Sequence, residues 1–235
     1  MFPGNVKFLS TPRFIEGGAS ESSYANFNLA HHVGDEPISV SANRQLLRRR
    51  FDLPSEPKWL DQHHSSICVN VDKPHSQKAD ASISQIPGVV CAVLTADCLP
   101  VFLARKDGSA VGVVHAGWRG LLGGVLESSI SALDEGNCQI VAHLGPAISQ
   151  EAFEVGVEVR EGFIDKCPAF NCAFIKHNNK YRFDLYAAAR TILTDHNIQS
   201  ISGGDRCTFS EQHKYYSFRR DGEQSGRMAH LIWMV

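Results

Sequence analysis

Short apolar runs fill the middle of the chain, and their lengths predict β-strands. The runs Cys91–Thr95 and Pro100–Ala104 are separated by a polar break. A tight-turn sequence at Lys106–Gly108 then leads into the run Ala110–His115. We therefore expect three strands in this region, the last two joined as a hairpin.

Beyond Gly120 the apolar period changes from two to about 3.6, which predicts an amphipathic helix. Its expected core face is formed by Leu122, Val125, Leu126, Ser129, Ile130 and Leu133. The other predicted helices are Val40–Arg50, Phe153–Phe163 and Leu185–His196. The other predicted strands are Asn28–Leu29, the two ends of Trp59–Val71, Ile140–Leu144, Ile198–Ile201 and Ala229–Val235. The segment 72–82 is predicted as a polar loop. Interleaved helices and strands favour a mixed sheet in one α/β or α+β domain.

Composition narrows the class of protein. A chain of 235 residues with 43% hydrophobic and 20% charged residues can bury one large core. The formal charge of −2 and the lack of a long apolar run argue against nucleic-acid and membrane partners. Seven cysteines at irregular spacing argue against a disulfide framework, and the N-terminal residues lack the apolar core of a signal peptide. We therefore expect a cytoplasmic protein.

Cys98 and His115 are the first candidates for chemistry. Two apolar strands joined by a short turn would carry them side by side. A thiolate and an imidazole so placed form either a nucleophile–base pair or two ligands of a metal. A free cysteine is more often a small buried apolar residue, but no other cysteine of this chain lies in so polar a turn. Spacing alone leaves both functional interpretations open.

A histidine pair in Gln62–Ser65 could extend this set. One further histidine would complete two imidazoles and a thiolate, which leaves a fourth tetrahedral position open, as catalytic zinc requires. Paired histidines are more often simply surface residues. The pair His31–His32 competes for the same role, so composition does not choose between them.

Two arginine-bearing turns could bind an anion. Arg119 lies in Gly117–Gly120, between a predicted strand and a predicted helix, where backbone N–H groups and a guanidinium suit phosphate. Equally, the two glycines could serve only a tight turn. The C-terminal sequence SFRRDGEQSGR contributes Arg219, Arg220 and Arg227, a pattern that is also typical of a solvated turn.

Several common motifs are absent. The chain has no GxxxxGK[ST] or GxGxxG phosphate loop and no GxSxG nucleophile turn. It lacks a CxxC pair and the HxE…PCxxC signature of zinc nucleobase deaminases. No HxH pair occurs, which argues against a trinuclear copper cluster.

Taken in order, these pieces closely resemble the laccase-domain (YfiH-like) family, also described as multicopper polyphenol oxidases or purine nucleoside phosphorylases. The matching stretches cover nearly the whole chain. They are FNLAHHVGD with Asn43-Arg44, QHHS, TADCLPV, VHAGWRG, HLGPAIS with FEVG, FDL, CT and SFRRDG…GRMA. The combination of TADCLPV with VHAGWRG is highly specific.

The resemblance implies one catalytic domain over residues 1–235, with an α+β fold in which a mixed β-sandwich is flanked by helices. It also implies a mononuclear zinc site whose ligands here are His64, Cys98 and His115. Ser65 stands where the family usually has glycine, and His63 where an apolar residue is common. Neighbouring side chains on a strand face opposite ways, so we expect only His64 of this pair to bind.

Family members are described as splitting purine nucleosides with phosphate, namely adenosine, inosine and methylthioadenosine, and as deaminating adenosine. Zinc in such a set lowers the pKa of a bound water to about 7, which would suit attack on the purine ring. Asp97 is expected to act beside Cys98 and His115, in proton transfer or in orienting a ligand. The expected substrate-binding residues are Asn28, Arg44, Arg119, Arg219 and Arg227.

Three alternatives remain at this point. The same ligands suit copper, so a copper-dependent polyphenol oxidase is the first, although one copper site does not make a four-electron oxidase. The second is a metal-free hydrolase that uses Cys98 and His115 directly. The third is a non-catalytic binding module. The sequence shows neither the oligomeric state nor the preferred nucleoside.

Overall fold

The computed structural model describes residues 1–134 and 139–235. Its strands are β1 (Val6–Ser10), β2 (Cys68–Asn70), β3 (Ala81–Ser84), β4 (Cys91–Thr95), β5 (Leu99–Arg105), β6 (Val111–Ala116), β7 (Ile140–Leu144), β8 (Glu154–Val155), β9 (Phe174–His177), β10 (Lys180–Phe183), β11 (Ile201–Gly203) and β12 (Met228–Met234). Its α-helices are α1 (Pro37–Arg50), α2 (Trp118–Gly123), α3 (Val125–Leu133), α4 (Val157–Lys166), α5 (Leu185–Asp195) and α6 (Phe218–Asp221).

The largest sheet is mixed. It has six strands in the order β11-β7-β5-β6-β3-β2, parallel in the outer pairs β11/β7 and β2/β3 and antiparallel between them. A second sheet, β1-β12-β4, is antiparallel throughout, and a small third sheet has the order β8-β10-β9.

Strand β5 shows how these sheets are layered. All its residues are buried, because both of its faces are covered. Val101 and Leu103 pack with residues of helices α3 and α5, whereas Phe102 and Ala104 pack with residues of β4 and β12 in the second sheet. Helix α1 covers the outer face of that second sheet through Leu47. The expected α+β fold, a mixed β-sandwich flanked by helices, is confirmed.

Some predicted elements are wrong. Phe153–Phe163 is not one helix, because β8 pairs with β10 before Gly156 provides the N-cap of α4. Asn28–Leu29 forms no strand, since the Asn28 side chain bonds to the local backbone. The first half of Trp59–Val71 makes only isolated bridges. Ile198–Ile201 is displaced, because the strand is Ile201–Gly203.

Other strands were not predicted at all. Strand β1 pairs along β12, and β3 begins within the predicted polar loop 72–82 and continues beyond it. The β9–β10 hairpin was also missed. The predicted strands Cys91–Thr95 and Ile140–Leu144 have the bounds expected. Among the described residues, no helix combines the length and the apolar content needed to cross a bilayer.

The sandwich positions one polar turn. Strands β4 and β5 belong to different sheets, so residues 96–98 cross from one layer to the other. Strand β5 then pairs with β6, and Pro100 lies opposite His115. The predicted juxtaposition of Cys98 and His115 follows directly from this crossing and this register.

Candidate metal centre

Three side chains from separate segments converge beside the crossing turn. His64 comes from the loop before β2, Cys98 from the turn, and His115 from β6. Their ligand atoms all lie within 4.8 Å of one another, and His64 Nε2 is 3.7 Å from Cys98 Sγ. Two imidazoles and a thiolate are a donor set of catalytic zinc sites, which leave the fourth position open.

His64, rather than its neighbour His63, belongs to the donor cluster, and its backbone has an unusual conformation. Its φ of +62° lies in the left-handed region, which non-glycine residues seldom adopt. The ring of His63 lies elsewhere, with Nδ1 3.2 Å from the Asp61 carbonyl oxygen. The other pair, His31–His32, does not contribute to the donor cluster found among the described residues.

A buried aspartate that the sequence did not single out supports both histidines. Asp80 Oδ1 accepts a hydrogen bond from the backbone N–H of His64 at 3.0 Å and lies 2.8 Å from His115 Nδ1. Asp80 Oδ2 accepts from the Ser65 N–H at 2.6 Å and the Ser65 hydroxyl at 2.7 Å. The small neighbours Ala79 and Ala81 were the only sequence signal of this close packing.

Electrostatics favours the ionised forms of these groups. Burial opposes ionisation of Asp80, but hydrogen bonds from His115 and Ser65 outweigh it and hold the pKa of Asp80 below its usual range. Burial also raises the pKa of the Cys98 thiol, yet the charge and hydrogen bond of His115 and the hydrogen bond of His64 prevail and lower that pKa to about 6. Burial lowers the pKa of His115, which the Cys98 thiolate and Asp80 raise to about 9. Cys98 therefore ionises readily, and the thiolate is the form that metals bind.

Position 117 requires glycine because the side chains of Cys98 and His64 lie close to it. A Cβ atom at this position would lie 2.9 Å from Cys98 Sγ and 2.9 Å from His64 Cδ2. Real Cβ contacts are not this short, so any side chain here would displace two donors. This glycine of the predicted anion-binding turn therefore also makes room for the ligands.

The three donors lie in a cavity of about 420 Å³. Its wall combines aromatic rings with guanidinium groups, provided by Trp118, Phe153, Phe218, Arg119, Arg219 and Arg227. Arg119 lies over the Trp118 ring at 4.3 Å, and Arg219 lies over the Phe153 ring at 5.2 Å. His32 also lines the cavity.

Asp97 joins the crossing turn to the C-terminal segment. Its carboxylate accepts hydrogen bonds from the Thr208 hydroxyl at 2.6 Å, the Ser217 hydroxyl at 3.0 Å and the Arg219 backbone N–H at 2.6 Å. The basic C-terminal segment therefore folds onto the site, and the Asp97 carboxylate holds it there. Thr208 and Ser217 were not identified from the sequence.

Two predicted substrate residues lie outside the wall of the cavity. Asn28 is buried, with its side-chain oxygen accepting from the Arg227 N–H and its amide donating to Asp35. Arg44 donates to the Leu29 carbonyl and lies over the Trp59 ring at 4.1 Å. Of the predicted arginines, the structure brings Arg119, Arg219 and Arg227 to the donors.

A family comparison agrees with this geometry. A family model described as "Multi-copper polyphenol oxidoreductase laccase" matches residues 9–235. The chain belongs to this laccase-domain family. The His64, Cys98 and His115 cluster of this laccase-domain protein indicates a metal site.

Relatives of the laccase-domain protein carry the name of an enzyme. Purine nucleoside phosphorylase YfiH of Escherichia coli is 45% identical over 99% of this chain and 96% of its own length. A purine nucleoside phosphorylase of Pseudomonas aeruginosa is 41% identical over 99% of this chain and 95% of its own. A crystal structure of a Neisseria meningitidis protein superposes with a TM-score of 0.91 at 43% identity, covering 99% of this chain and 96% of the other.

Proposed function

We propose that this chain is a zinc-dependent purine nucleoside phosphorylase with adenosine deaminase activity. It converts adenosine and inosine to the base and ribose 1-phosphate, and methylthioadenosine to adenine and 5-methylthioribose 1-phosphate. The observation that carries the proposal is the His64, Cys98 and His115 donor set inside a cavity lined by three arginines. The names of close relatives in E. coli and P. aeruginosa support the phosphorylase activity.

The residues present fit zinc. One thiolate and two imidazoles match its preferred ligands, and Gly117 leaves the space that the donors need. Zinc bound by these residues supplies a Lewis acid that polarises oxygen atoms and acidifies water.

The remaining groups can bind the nucleoside and phosphate. A cavity of about 420 Å³ lies in the range of small-molecule sites. Trp118, Phe153 and Phe218 offer apolar faces on which a purine can stack. Arginine binds phosphate through paired, charge-assisted hydrogen bonds, which is the role that we assign to Arg119, Arg219 and Arg227. In the reaction a phosphate oxygen bonds to C1′ as the bond to the purine nitrogen breaks, and the base takes up a proton.

Asp97 fits an orienting role. Three donors already occupy its carboxylate, and one of them is the backbone N–H of Arg219. We therefore assign Asp97 to holding the arginine-bearing segment against the ligands rather than to proton transfer.

A phosphate-dependence assay tests the proposal. Purified protein should contain about one zinc per chain and release hypoxanthine from inosine only when phosphate is present. Ribose 1-phosphate should accumulate in equal amount. Equal base release without phosphate would replace the phosphorylase with a hydrolase.

A copper-dependent polyphenol oxidase is the second candidate, favoured by the family description and by a ligand set that also suits copper. Metal analysis and phenol turnover on one preparation separate the two. Full nucleoside turnover by an all-zinc sample excludes the oxidase as the main activity.

The aligned Asp80, His115 and Cys98 also resemble a nucleophilic triad, which favours a metal-free hydrolase as the third candidate. His64→Ala distinguishes it, because this change removes a metal ligand and leaves those three groups in place. A metal-free hydrolase would survive His64→Ala and a chelator, and thiol alkylation would abolish it.

A further inference from the structure

We infer that Asp80 is a positioning residue for metal binding, which orients both histidine ligands through one carboxylate. The inference rests on the metal site within the proposed function, and it assigns a role to a residue that touches neither nucleoside nor phosphate. Its basis is the arrangement of donors around the two oxygens of Asp80, at a fully buried carboxylate.

The contact with His115 decides which ring nitrogen faces the site. His115 Nδ1 lies 2.8 Å from Asp80 Oδ1. An ionised carboxylate only accepts hydrogen bonds, so when the ring loses a proton to bind a metal, the proton that remains resides on Nδ1. Nε2 is then left with its lone pair free for a metal. Carboxylate partners of this kind fix the tautomer and raise the basicity of histidine ligands.

The same oxygen also fixes the backbone that carries His64. The His64 N–H donates to Asp80 Oδ1 at 3.0 Å, at a residue whose φ is +62°. A residue in this sparsely populated region needs support from its surroundings. Asp80 Oδ2 gives further support to the loop by accepting from the Ser65 N–H and hydroxyl. One side chain thus sets the tautomer of one ligand and the backbone position of the other.

Asp80→Asn should separate orientation from packing, because asparagine is nearly the same size but has one acceptor oxygen. The two Ser65 donors lie closer to Oδ2, at 2.6 and 2.7 Å, than the other donors lie to Oδ1, so they should attract the amide oxygen. The NH₂ group then faces His115 Nδ1 and donates to it. This reverses the tautomer and places a proton on Nε2, the nitrogen needed by the metal.

The matched control is Asp72→Asn. Asp72 accepts from the Ser84 hydroxyl at 2.6 Å and from the Gln85 N–H at 2.7 Å, so it also supports a loop through a serine and a backbone donor. It lies beyond β2, whereas His64 precedes this strand. Asp72→Asn should therefore lower stability without changing zinc affinity.

The experiment is a zinc titration against a competing chelator, without nucleoside, on wild type, Asp80→Asn and Asp72→Asn. We expect the zinc dissociation constant to rise about 10- to 100-fold in Asp80→Asn and to stay unchanged in Asp72→Asn. Equal zinc affinity in wild type and Asp80→Asn, with both folded by circular dichroism, would overturn the inference. Wild-type protein that binds no zinc would overturn it as well.

A second readout does not depend on the variant folding. In ¹⁵N-histidine-labelled, zinc-loaded wild type, His115 should be coordinated through Nε2 and keep a slowly exchanging proton on Nδ1. Coordination through Nδ1 would contradict the inference. Since neither measurement uses nucleoside, a protein that binds zinc as expected but fails to cleave inosine would end the proposed function and leave the role of Asp80 intact.

Discussion

The cavity has a ligand side, formed by His64, Cys98 and His115, and a basic side, formed by Arg119, Arg219 and Arg227. Each side is fastened by a buried aspartate, but at different atoms. Asp80 binds an imidazole nitrogen and the backbone of a second ligand, so it acts on the donors themselves. Asp97 binds the backbone N–H of Arg219 and two hydroxyls, which leaves the guanidinium group to other contacts.

The ligand side and the basic side have different tasks. A metal needs donor atoms at nearly fixed distances, so the ligand side is held by short hydrogen bonds and by the close approach of Gly117. A phosphate and a purine can be bound by side chains that adjust. Arg119 accordingly lies over the Trp118 ring, a contact that orients a guanidinium less strictly than paired hydrogen bonds do.

The largest effect should come from breaking the ligand side alone. Cys98→Ala removes one of three donor atoms and leaves the basic side in place. Zinc content should fall from about one per chain to nearly none after dialysis. Inosine phosphorolysis should fall more than about 100-fold, which exceeds the loss expected when a group that only supports a metal ligand is removed. Metal analysis measures the zinc content, and hypoxanthine release measures the phosphorolysis. Cys172→Ala, at an exposed cysteine, is the control and should retain both.

Gly117→Ala should break the ligand side through one methyl group. The added Cβ would lie 2.9 Å from Cys98 Sγ and from His64 Cδ2, so we expect zinc loss and about 1–3 kcal/mol of destabilisation. Urea unfolding and zinc content measure these effects. In Gly123→Ala the nearest atom is Ser66 Cβ at 3.9 Å, so this control should keep its zinc and gain about 0.5–1 kcal/mol from helix propensity. Zinc retained by Gly117→Ala would show that the donors can shift freely.

The two sides also differ in how far the sequence predicts them. Cys98 and His115 could be placed together because two long apolar runs and a tight turn specify a hairpin register. The supporting role of Asp80 could not be predicted in the same way. Strand β3, which follows it, has one large apolar residue in Ala81–Ser84 and therefore shows no clear hydrophobic period. Apart from the small neighbours Ala79 and Ala81, the local sequence does not reveal an acid that is buried by partners from a distant loop and from β6.

The basic side shows the opposite limitation. The sequence identified five arginines in candidate motifs, but a guanidinium on a long flexible stem can reach several places. Arg44 donates to the Leu29 carbonyl and Arg220 to the Thr208 and Phe209 carbonyls, and neither arginine lines the cavity. Which arginines reach the donors depends on how the C-terminal segment folds onto Asp97, and that contact spans more than a hundred residues of chain.

A moderate effect is expected when the basic side alone is weakened. Arg119→Ala removes a guanidinium that lines the cavity over Trp118. Loss of one charge-assisted hydrogen bond, about 1.5–3 kcal/mol, should raise the KM for phosphate about 10- to 100-fold and leave zinc content unchanged. Arg160→Ala is the matched control, because Arg160 also lies over an aromatic ring, Tyr181 at 5.0 Å, outside the cavity. An unchanged KM for phosphate in Arg119→Ala would remove this arginine from the anion site.

The smallest expected effect concerns His230, which contacts a residue of the cavity wall. His230 is buried, with Nε2 2.8 Å from the hydroxyl of Thr95, which lines the cavity, and Nδ1 2.8 Å from the Ser10 hydroxyl. Burial, aided by the charge of His115, lowers the pKa of His230 to about 3. Below a pH of about 6.5 the unfolded chain therefore binds a proton that the folded chain does not.

The sign of the pH dependence follows from this difference. The free energy of unfolding should decrease as pH falls from about 6.5 towards 3, by up to about 1.4 kcal/mol per pH unit from this residue, and the stability is fully present above 6.5. In a Cys98→Ala background, which removes metal loading from the comparison, His230→Gln should flatten that slope. Urea unfolding at several pH values measures it, with His75→Gln, at an exposed histidine, as control. An unchanged slope in His230→Gln would mean that His230 takes up its proton within the folded protein, at a buried position next to Thr95 of the cavity wall.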